Sequence, residues 1–211
     1  MNFLSRKARA ILPYTAGEQL RDKVYTKLNT NENPYPPSPC VLRALAAVEG
    51  DDLRRYPRPD AGRLRAAIAA REGVGEENVF CGNGSDEVLA LSFPAFFDGD
   101  GAGACFADIT YSFYEVFAAF FGIPKKVVPL RGDFTLDLAA MRAADCQGYY
   151  IANPNAPTGI GIGRGEMEAF IASVPDRIVV ADEAYMDFFG ESLVPLTKKY
   201  GNLLVVRTFS K

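Results

Sequence analysis

Residues 202–211 combine a predicted buried strand with side chains that can do chemistry. Leu203–Val206 is uninterrupted apolar sequence, which is typical of a parallel strand covered on both faces. Thr208, Ser210 and Lys211 follow it, at the end of the strand where open α/β sheets bind ligands. A lysine shielded from water there has a lowered pKa, and its amine can attack an aldehyde. The same lysine could instead lie on the surface after an edge strand, so its position alone leaves both interpretations open.

A glycine turn between an apolar run and a helix predicts an anion-binding site. Residues 79–81 form a predicted strand, and Gly-Asn-Gly-Ser-Asp-Glu at 82–87 leads into a helix that opens at about Ser85. Backbone N–H groups and the positive end of the helix dipole would then point at one spot. Glu87 stands where a dinucleotide fingerprint needs its third glycine, and the Gly-Lys-Ser/Thr ending of a P-loop is absent. A tight strand-to-helix turn without a ligand is the alternative.

Further polar and aromatic groups follow other predicted strands. Tyr111 comes at the exit of one strand, where its ring could cover a flat ligand or simply pack as a core aromatic. Asn155 lies in the segment 153–159, whose two prolines fix the backbone. Asp182 and Tyr185 lie at the exit of another buried strand. A buried carboxylate is costly unless it meets a cation or an N–H donor, so Asp182 predicts such a partner.

The composition excludes several classes of function. The chain has 211 residues, 48% of them hydrophobic and 23% charged, which is ordinary for a globular protein with one large core. A net charge of −3 gives no electrostatic basis for binding nucleic acid or an anionic membrane. The absence of histidine removes the usual zinc ligand and the Ser-His-Asp triad, so we expect no metal. Cys81 and Cys105 lie in apolar runs and are expected to be buried free thiols, which favours a reducing cytoplasm.

Hydrophobic periodicity predicts the elements that position these groups. Strands are predicted at 79–81, 102–107, 125–130, 148–152, 177–185 and 203–206, with helices between them. This alternation indicates an α/β fold with a mostly parallel sheet and helices on both faces. Earlier in the chain the sequence predicts a strand at 24–28, a fixed Asn- and Pro-rich loop at 29–39, a helix that starts after Ser38 and stops at Gly50, and a helix capped by Asp60. No run is long enough to span a bilayer, and no apolar signal core is present.

Every chemically suggestive group lies just past the carboxyl end of a predicted strand, and one ligand requires this whole set. Pyridoxal 5′-phosphate needs a lysine for its aldehyde and a helix N-terminus with hydroxyl groups for its phosphate. It also needs a carboxylate at the pyridine nitrogen, a donor at the ring oxygen and an aromatic plate over the ring. The carboxylate keeps the nitrogen protonated, so that the ring can accept electrons when a substrate Cα–H bond breaks. Each signal is weak alone, and their joint occurrence predicts this cofactor.

Six motifs resemble those of the fold-type I pyridoxal-phosphate enzymes, specifically the class II aminotransferases. They are Leu-Asn-Thr-Asn-Glu-Asn-Pro at 28–34, Arg-Tyr-Pro at 55–57, Gly-Asn-Gly-Ser-Asp-Glu at 82–87, Asn-Pro-Asn-Ala-Pro-Thr-Gly at 153–159, Asp-Glu-Ala-Tyr at 182–185 and Thr-Phe-Ser-Lys at 208–211. Their order and spacing cover essentially the whole chain. The first two motifs favour the histidinol-phosphate branch of the family.

The resemblance implies catalytic roles for three residues. Lys211 would bind the cofactor aldehyde covalently and then move a proton between the substrate Cα and the cofactor C4′. Asp182 would pair with the pyridinium nitrogen, and Tyr185 would donate to the ring oxygen. Tyr111 would stack on the ring.

The resemblance also implies further binding residues. The phosphate would be held by Gly84, Ser85, Asp86 and Ser210, and Tyr56 would reach the phosphate of a neighbouring subunit's cofactor, so a homodimer is expected. The residues implied on the substrate side of the pocket are Tyr14, Asn31, Glu32 and Asn33.

The chain departs from the family pattern in two respects. Ala156 stands where many members carry an asparagine that contacts the ring oxygen, and Asn155 is the candidate substitute. The family also continues past the lysine, with a further interior strand and a small C-terminal domain. We therefore expect an N-terminal arm and substrate loop at 1–35 and a cofactor-binding large domain at 36–211 that is truncated before the small domain. Without the interior strand, residues 79–81 would lack a partner on one side.

Three functions follow from these expectations. The first is a transaminase that moves an amino group between L-histidinol phosphate and 2-oxoglutarate, in histidine biosynthesis in the cytoplasm. The second is a decarboxylase that uses the same cofactor and acts on threonine phosphate. Another class I or II aminotransferase activity is a further alternative. The third is an inactive fragment that binds neither cofactor nor substrate.

Overall fold

The computed structural model describes residues 3–5, 8, 9, 18 and 22–211. Its strands are β1 Ala104–Ala107, β2 Lys125–Val128, β3 Gly148–Ala152, β4 Ile178–Asp182 and β5 Leu203–Val206. Its helices are α1 Pro39–Ala46, α2 Gly50–Leu53, α3 Gly62–Glu72, α4 Gly84–Phe96, α5 Phe113–Phe121, α6 Leu138–Ala143 and α7 Arg164–Ser173. Short 3₁₀ helices cover Glu76–Asn78, Met186–Phe188 and Val194–Lys198.

The five strands form one parallel sheet in the order β2-β1-β3-β4-β5. The register pairs Ala152 of β3 with Asp182 of β4, and Asp182 with Val206 of β5. Three neighbouring strands therefore end at the same level, and the residues that follow them lie at one edge of the sheet. The prediction of an α/β fold with a mostly parallel sheet is confirmed.

Each face of the sheet is covered by its own hydrophobic core. Helices α4 and α5 cover one face, where Phe93 stacks on Tyr150 of β3 with ring centroids 4.2 Å apart. Helices α6 and α7 cover the other face with Met141, Met167 and Ile171, all fully buried. Because parallel strands are buried on both faces, they read as continuous apolar runs, which is why the predicted bounds of β3 and β5 are confirmed. The strand predicted at 177–185 is too long, because β4 ends at Asp182 and a turn follows.

The predicted strand at 79–81 is wrong, because this segment pairs with no strand among the described residues. Phe80 is exposed, and Cys81 is half-buried where a core thiol was expected, whereas Cys105 on β1 is buried. The predicted strand at 24–28 is also wrong, because these residues belong to no strand in the part of the chain that the structure describes. An apolar run can satisfy a strand pattern, yet it becomes a strand only where another backbone offers hydrogen bonds.

The region before α3 differs from the sequence expectation at Gly50. Helix α1 begins after Ser38 as predicted but ends at Ala46, and Gly50 opens the separate helix α2. Reciprocal contacts between Glu49 and Asp52 cap α2, which explains why the chain turns again there. Every residue from 22 to 60 is exposed. No helix among the described residues has both the length and the apolar character needed to cross a bilayer.

Candidate active site

A cavity of about 230 Å³ lies at the carboxyl edge of the sheet, between the ends of β3, β4 and β5 and the start of α4. Parallel α/β sheets place ligands at this edge because loops and helix N-termini converge there. The residues that line the cavity are Asn83, Gly84, Ser85, Asp86, Tyr111, Ala152, Pro154, Ala156, Asp182, Ala184, Tyr185, Ser210 and Lys211. Groups far apart in the sequence are therefore brought around one space.

Asp182 is a buried carboxylate at the end of β4, with only 4% of its surface exposed. The Tyr114 hydroxyl donates to its Oδ2 at 2.6 Å, and the Ala184 N–H donates to its Oδ1 at 3.0 Å. Burial raises the pKa of Asp182, and the two hydrogen bonds and the positive charge of Lys211 oppose that rise. These two donors are neutral and burial makes the ionised form costly, so a cationic group in the cavity would stabilise the Asp182 carboxylate.

Lys211 faces Tyr185 across the cavity. Its Nζ lies 5.5 Å from the centroid of the Tyr185 ring, within the range of a cation–π contact. The Tyr185 hydroxyl accepts a hydrogen bond from Asn31 Nδ2 at 2.9 Å. Since that bond uses an oxygen lone pair, the hydroxyl proton of Tyr185 is left to donate elsewhere.

The first turn of α4 forms an anion cradle. Gly84 has φ of +77°, a left-handed conformation that favours glycine, and it starts the 13-residue helix. A Cβ at Gly84 would lie 4.0 Å from the Oγ of Ser210, so the two sides of the cradle are close. The N–H groups of Ser85 and Asp86 have no intrahelical acceptor in this first turn, and the helix dipole adds positive potential. The Glu87 carboxylate accepts a hydrogen bond from the Asn83 N–H at 2.6 Å, so this N–H, just before the helix, is already paired.

Tyr111 forms a wall of the cavity beside this cradle. Its hydroxyl donates to Asp86 Oδ1 at 2.6 Å, and its ring meets Tyr114 edge-on with centroids 5.6 Å apart. Burial, followed by the neighbouring Asp86, raises the pKa of Tyr111, so the hydroxyl stays protonated. The ring is thus fixed at both its hydroxyl end and its edge.

A second set of polar contacts fixes the segment that carries Tyr185. Glu183 is buried, and its carboxylate accepts from the Leu193 N–H and the Ser192 hydroxyl, both at 2.6 Å. Arg207, just past β5, donates to Asp187 at 2.9 Å and to Glu72 of α3 at 2.9 Å. These contacts tie the turn after β4 to the strand that leads to Lys211.

Asn155 does not line this cavity, although the sequence proposed it as a donor to the ring oxygen. Its side chain is buried and hydrogen-bonded to Thr110, Ile109 and Thr158. Ala156 lines the cavity instead, because the turn of the loop points successive residues in different directions.

The predicted residues of the N-terminal segment take different positions. Asn31 reaches Tyr185, whereas Glu32 pairs with Lys27, and Asn33 accepts the Tyr35 N–H in its own loop. Tyr56 is fully exposed and lies outside the lining of the cavity.

Tyr14 lies outside the described residues, so its predicted role stays a prediction. The sequence did not single out Tyr114, which bonds Asp182. Its position three residues after Tyr111, at the predicted start of a helix, was the available signal, because a turn there brings the two residues close together.

A parallel sheet with a polar cavity at its carboxyl edge is typical of open α/β proteins that bind ligands. Comparisons with known proteins identify the family of this chain. A sequence profile described as "Aminotransferase class I and II" matches residues 23–211. The chain belongs to this family.

Individual relatives are similar over most of the chain. "Histidinol-phosphate aminotransferase" of Brachyspira hyodysenteriae (strain ATCC 49526 / WA1) is 51% identical over 211 residues, which is 100% of this chain and 59% of that protein. The crystal structure of histidinol-phosphate aminotransferase from Sinorhizobium meliloti in complex with pyridoxal-5′-phosphate is 28% identical with a TM-score of 0.75, covering 86% of this chain and 51% of that one. L-threonine-O-3-phosphate decarboxylase from Porphyromonas gingivalis is 27% identical with a TM-score of 0.65, covering 76% and 48%. The chain thus spans 59% of the length of the curated relative.

Proposed function

We propose that the protein is a pyridoxal-phosphate-dependent aminotransferase that moves an amino group between L-histidinol phosphate and 2-oxoglutarate in histidine biosynthesis. The observation that carries the proposal is that the buried Asp182 carboxylate and Lys211 line one cavity, and that the carboxylate accepts from two neutral donors among the described residues. A pyridinium nitrogen would supply a direct cationic partner for this carboxylate. The names of the relatives support the choice of substrates.

The residues of the cavity fit the cofactor group by group. Ser85, Asp86 and Ser210 would hold the phosphate at the start of α4, with Gly84 allowing the close approach of the backbone. Tyr111 would cover one face of the ring. When bound, the protonated ring supplies a sink for the electrons released at the substrate Cα.

The side chains of this chain would then carry distinct steps. Lys211 would hold the aldehyde end and move the proton at the substrate Cα. Asp182 would keep the ring nitrogen protonated. Tyr185 would donate a hydrogen bond to the ring oxygen, because Asn31 already donates to the Tyr185 hydroxyl and leaves its O–H free to donate.

The remaining assignments concern the substrate side and the assembly. Tyr14 and Asn31–Asn33, in an arm at 1–35 that precedes the domain at 36–211, are proposed to face the amino-acid substrate. We also propose a cytoplasmic homodimer, in which Tyr56 reaches the partner's phosphate. The apolar face of α1 supports a dimer, because Val41, Leu42 and Leu45 are all exposed.

The cofactor proposal is tested by adding pyridoxal phosphate to the purified chain and recording its visible absorbance. We expect a lysine-dependent band that is lost in Lys211→Ala and kept in Lys126→Ala, which removes an exposed lysine on β2. A band that survives Lys211→Ala would contradict the proposal. No band in the wild type would favour the inactive-fragment alternative.

The substrate proposal needs an assay of transfer. The chain alone, and the chain fused to the remaining part of the Brachyspira relative, are given histidinol phosphate and 2-oxoglutarate, and glutamate is measured. We expect the fusion to form glutamate, and we expect Lys211→Ala to abolish that turnover. Faster turnover with aromatic amino acids alone would assign the chain to another aminotransferase.

A second candidate function is decarboxylation of threonine phosphate, which the similarity to the Porphyromonas enzyme supports. The two reactions break different bonds at the same carbon. Release of CO₂ from O-phosphothreonine, without formation of glutamate, would favour this candidate.

A further inference from the structure

Asn155 is a polar residue enclosed within the loop that follows β3, with 3% of its surface exposed. Its Oδ1 accepts from the Thr110 hydroxyl at 2.7 Å, and its Nδ2 donates to the Ile109 carbonyl at 2.9 Å and to Thr158 Oγ1 at 3.1 Å. Its backbone N–H and carbonyl are bonded to Ile160 and Gly159 at 2.8 and 2.7 Å. Both ends of the side-chain amide are therefore committed within the protein, and Asn155 is not needed to bind a ligand directly.

The contacts of Asn155 hold the chain immediately before Tyr111. Ile109 and Thr110 are the two residues that precede this cavity wall, and both are bonded to the amide of Asn155. The Asp108 carboxylate holds the other side of the same turn through the N–H groups of Ile109 and Leu130. The backbone that carries Tyr111 is therefore fixed from two directions.

The loop that carries Asn155 also contributes to the cavity lining. Pro154 and Ala156, its neighbours in the chain, both line the cavity, as does Tyr111. Asn155 is thus a buried link between two walls that are 45 residues apart in the sequence, as the Thr110 bond shows. A wall that must stack on a flat ring needs this kind of locked support, because a displacement of about 1 Å loses much of the contact.

We infer that Asn155 is a positioning residue, which fixes the place of Tyr111 in the cavity lining so that the Tyr111 ring can stack on an aromatic ring bound there. The inference rests on the proposed function, since the ring in question is that of pyridoxal phosphate. Asn155 acts through Tyr111 and does not touch the ligand. Loss of the Asn155 hydrogen bonds should therefore weaken the binding of the ring by no more than the loss of Tyr111 itself.

A double-mutant cycle tests this route of action. The dissociation constant of pyridoxal phosphate is measured by visible absorbance for the wild type, Asn155→Ala, Tyr111→Ala and the double variant. We expect each single variant to weaken binding by about three- to tenfold, the range for one aromatic contact. The double variant should match Tyr111→Ala alone, because a support has no effect once the supported group is gone. If the fold-changes in the dissociation constant of the two single variants multiply in the double variant, the inference is overturned.

A milder pair of variants covers the case in which Asn155→Ala does not fold. Thr110→Val removes the bond on the Tyr111 side of Asn155, whereas Thr158→Val removes a bond on the side away from Tyr111. We expect only Thr110→Val to weaken cofactor binding. Both variants should lower the unfolding midpoint of the cofactor-free protein to a similar extent. Equal weakening by both would mean a purely structural role and would overturn the inference.

The outcomes also separate the inference from the proposed function. A wild-type protein without a Lys211-dependent band overturns both. A wild-type band together with independent effects of Asn155 and Tyr111 overturns only the positioning role.

Discussion

The segment 22–60 and the sheet domain that follows it use similar sequence patterns with different outcomes. Helix α1 is amphipathic, yet none of its residues is buried. Helix α4 carries Leu89 and Phe93, which are fully buried against the sheet. The comparison teaches that an apolar stripe specifies a helix, whereas the burial of that stripe depends on a partner surface that the stripe does not encode.

The same contrast holds for the candidate active site. All the residues that line the cavity come from 83–211, and they are supported by buried contacts such as the bond from Tyr114 to Asp182. The segment 22–60 is joined to this site by the hydrogen bond from Asn31 to Tyr185. The sheet domain thus forms the cavity, and the N-terminal segment contributes a hydrogen bond to one of the lining residues, Tyr185.

The largest expected difference between the two regions is in stability. Phe93→Ala should lower the free energy of unfolding by about 3–5 kcal/mol, since it leaves a cavity beside Tyr150. Leu45→Ala, on the exposed face of α1, should change it by less than about 0.5 kcal/mol in the monomer. Urea unfolding followed by circular dichroism measures both. A large, concentration-dependent effect of Leu45→Ala would show that another copy covers α1.

A second prediction concerns that covering copy directly. Leu42→Glu places a charge on the apolar face of α1 and should weaken the proposed dimer by about 2 kcal/mol, roughly thirtyfold in the dissociation constant. Arg43→Gln, on the same helix, is the matched control and should change it little. Sedimentation equilibrium gives the constants. Equal dissociation constants for the two variants would remove α1 from the interface.

The third prediction uses the raised pKa of Asp182. Because burial raises its pKa in the folded state above the unfolded value of about 4, the unfolded chain loses this proton first as pH rises. The contribution of Asp182 to the stability of the cofactor-free protein should therefore fall with increasing pH across that window, by at most about 1.4 kcal/mol per pH unit. Asp182→Asn should remove this slope.

Glu183→Gln is the control for that experiment, because burial raises the pKa of Glu183 as well. It should remove its own share of the slope and weaken cofactor binding much less than Asp182→Asn, because Glu183 does not line the cavity. Thermal unfolding between pH 4 and 8, with and without pyridoxal phosphate, separates the two. A pH profile unchanged by Asp182→Asn would contradict the assignment of a costly buried charge.

The smallest expected effect is at the contact between the two regions. Asn31→Ala removes one hydrogen bond to Tyr185, worth about 0.5–1.5 kcal/mol, and should weaken cofactor binding by roughly two- to tenfold. Asn33→Ala, which removes a bond within its own loop, should have no such effect. Isothermal titration with pyridoxal phosphate compares them. Equal losses in both variants would mean that the loop acts as a whole rather than through Asn31.

Much of the fold and of the cavity lining could be predicted from the sequence. The apolar runs of β3, β4 and β5 and the alternation with helices gave the parallel sheet. The carboxyl-edge rule then placed Asp182, Tyr185, Lys211 and the start of α4 together. The assignment of Asn155 was less accurate, because the direction of a side chain in a proline-rich loop depends on contacts with Thr110, 45 residues earlier.

The sequence by itself determined where strands and helices form and which reactive groups follow them, because backbone propensity and apolar periodicity are local properties. Only the tertiary structure decided that residues 79–81 pair with no strand in the described ranges, that Tyr114 supports Asp182, and that the Asn155 side chain bonds the turn before Tyr111. These outcomes depend on hydrogen bonds between groups distant in the chain, and such bonds form only once packing has fixed the distances between elements.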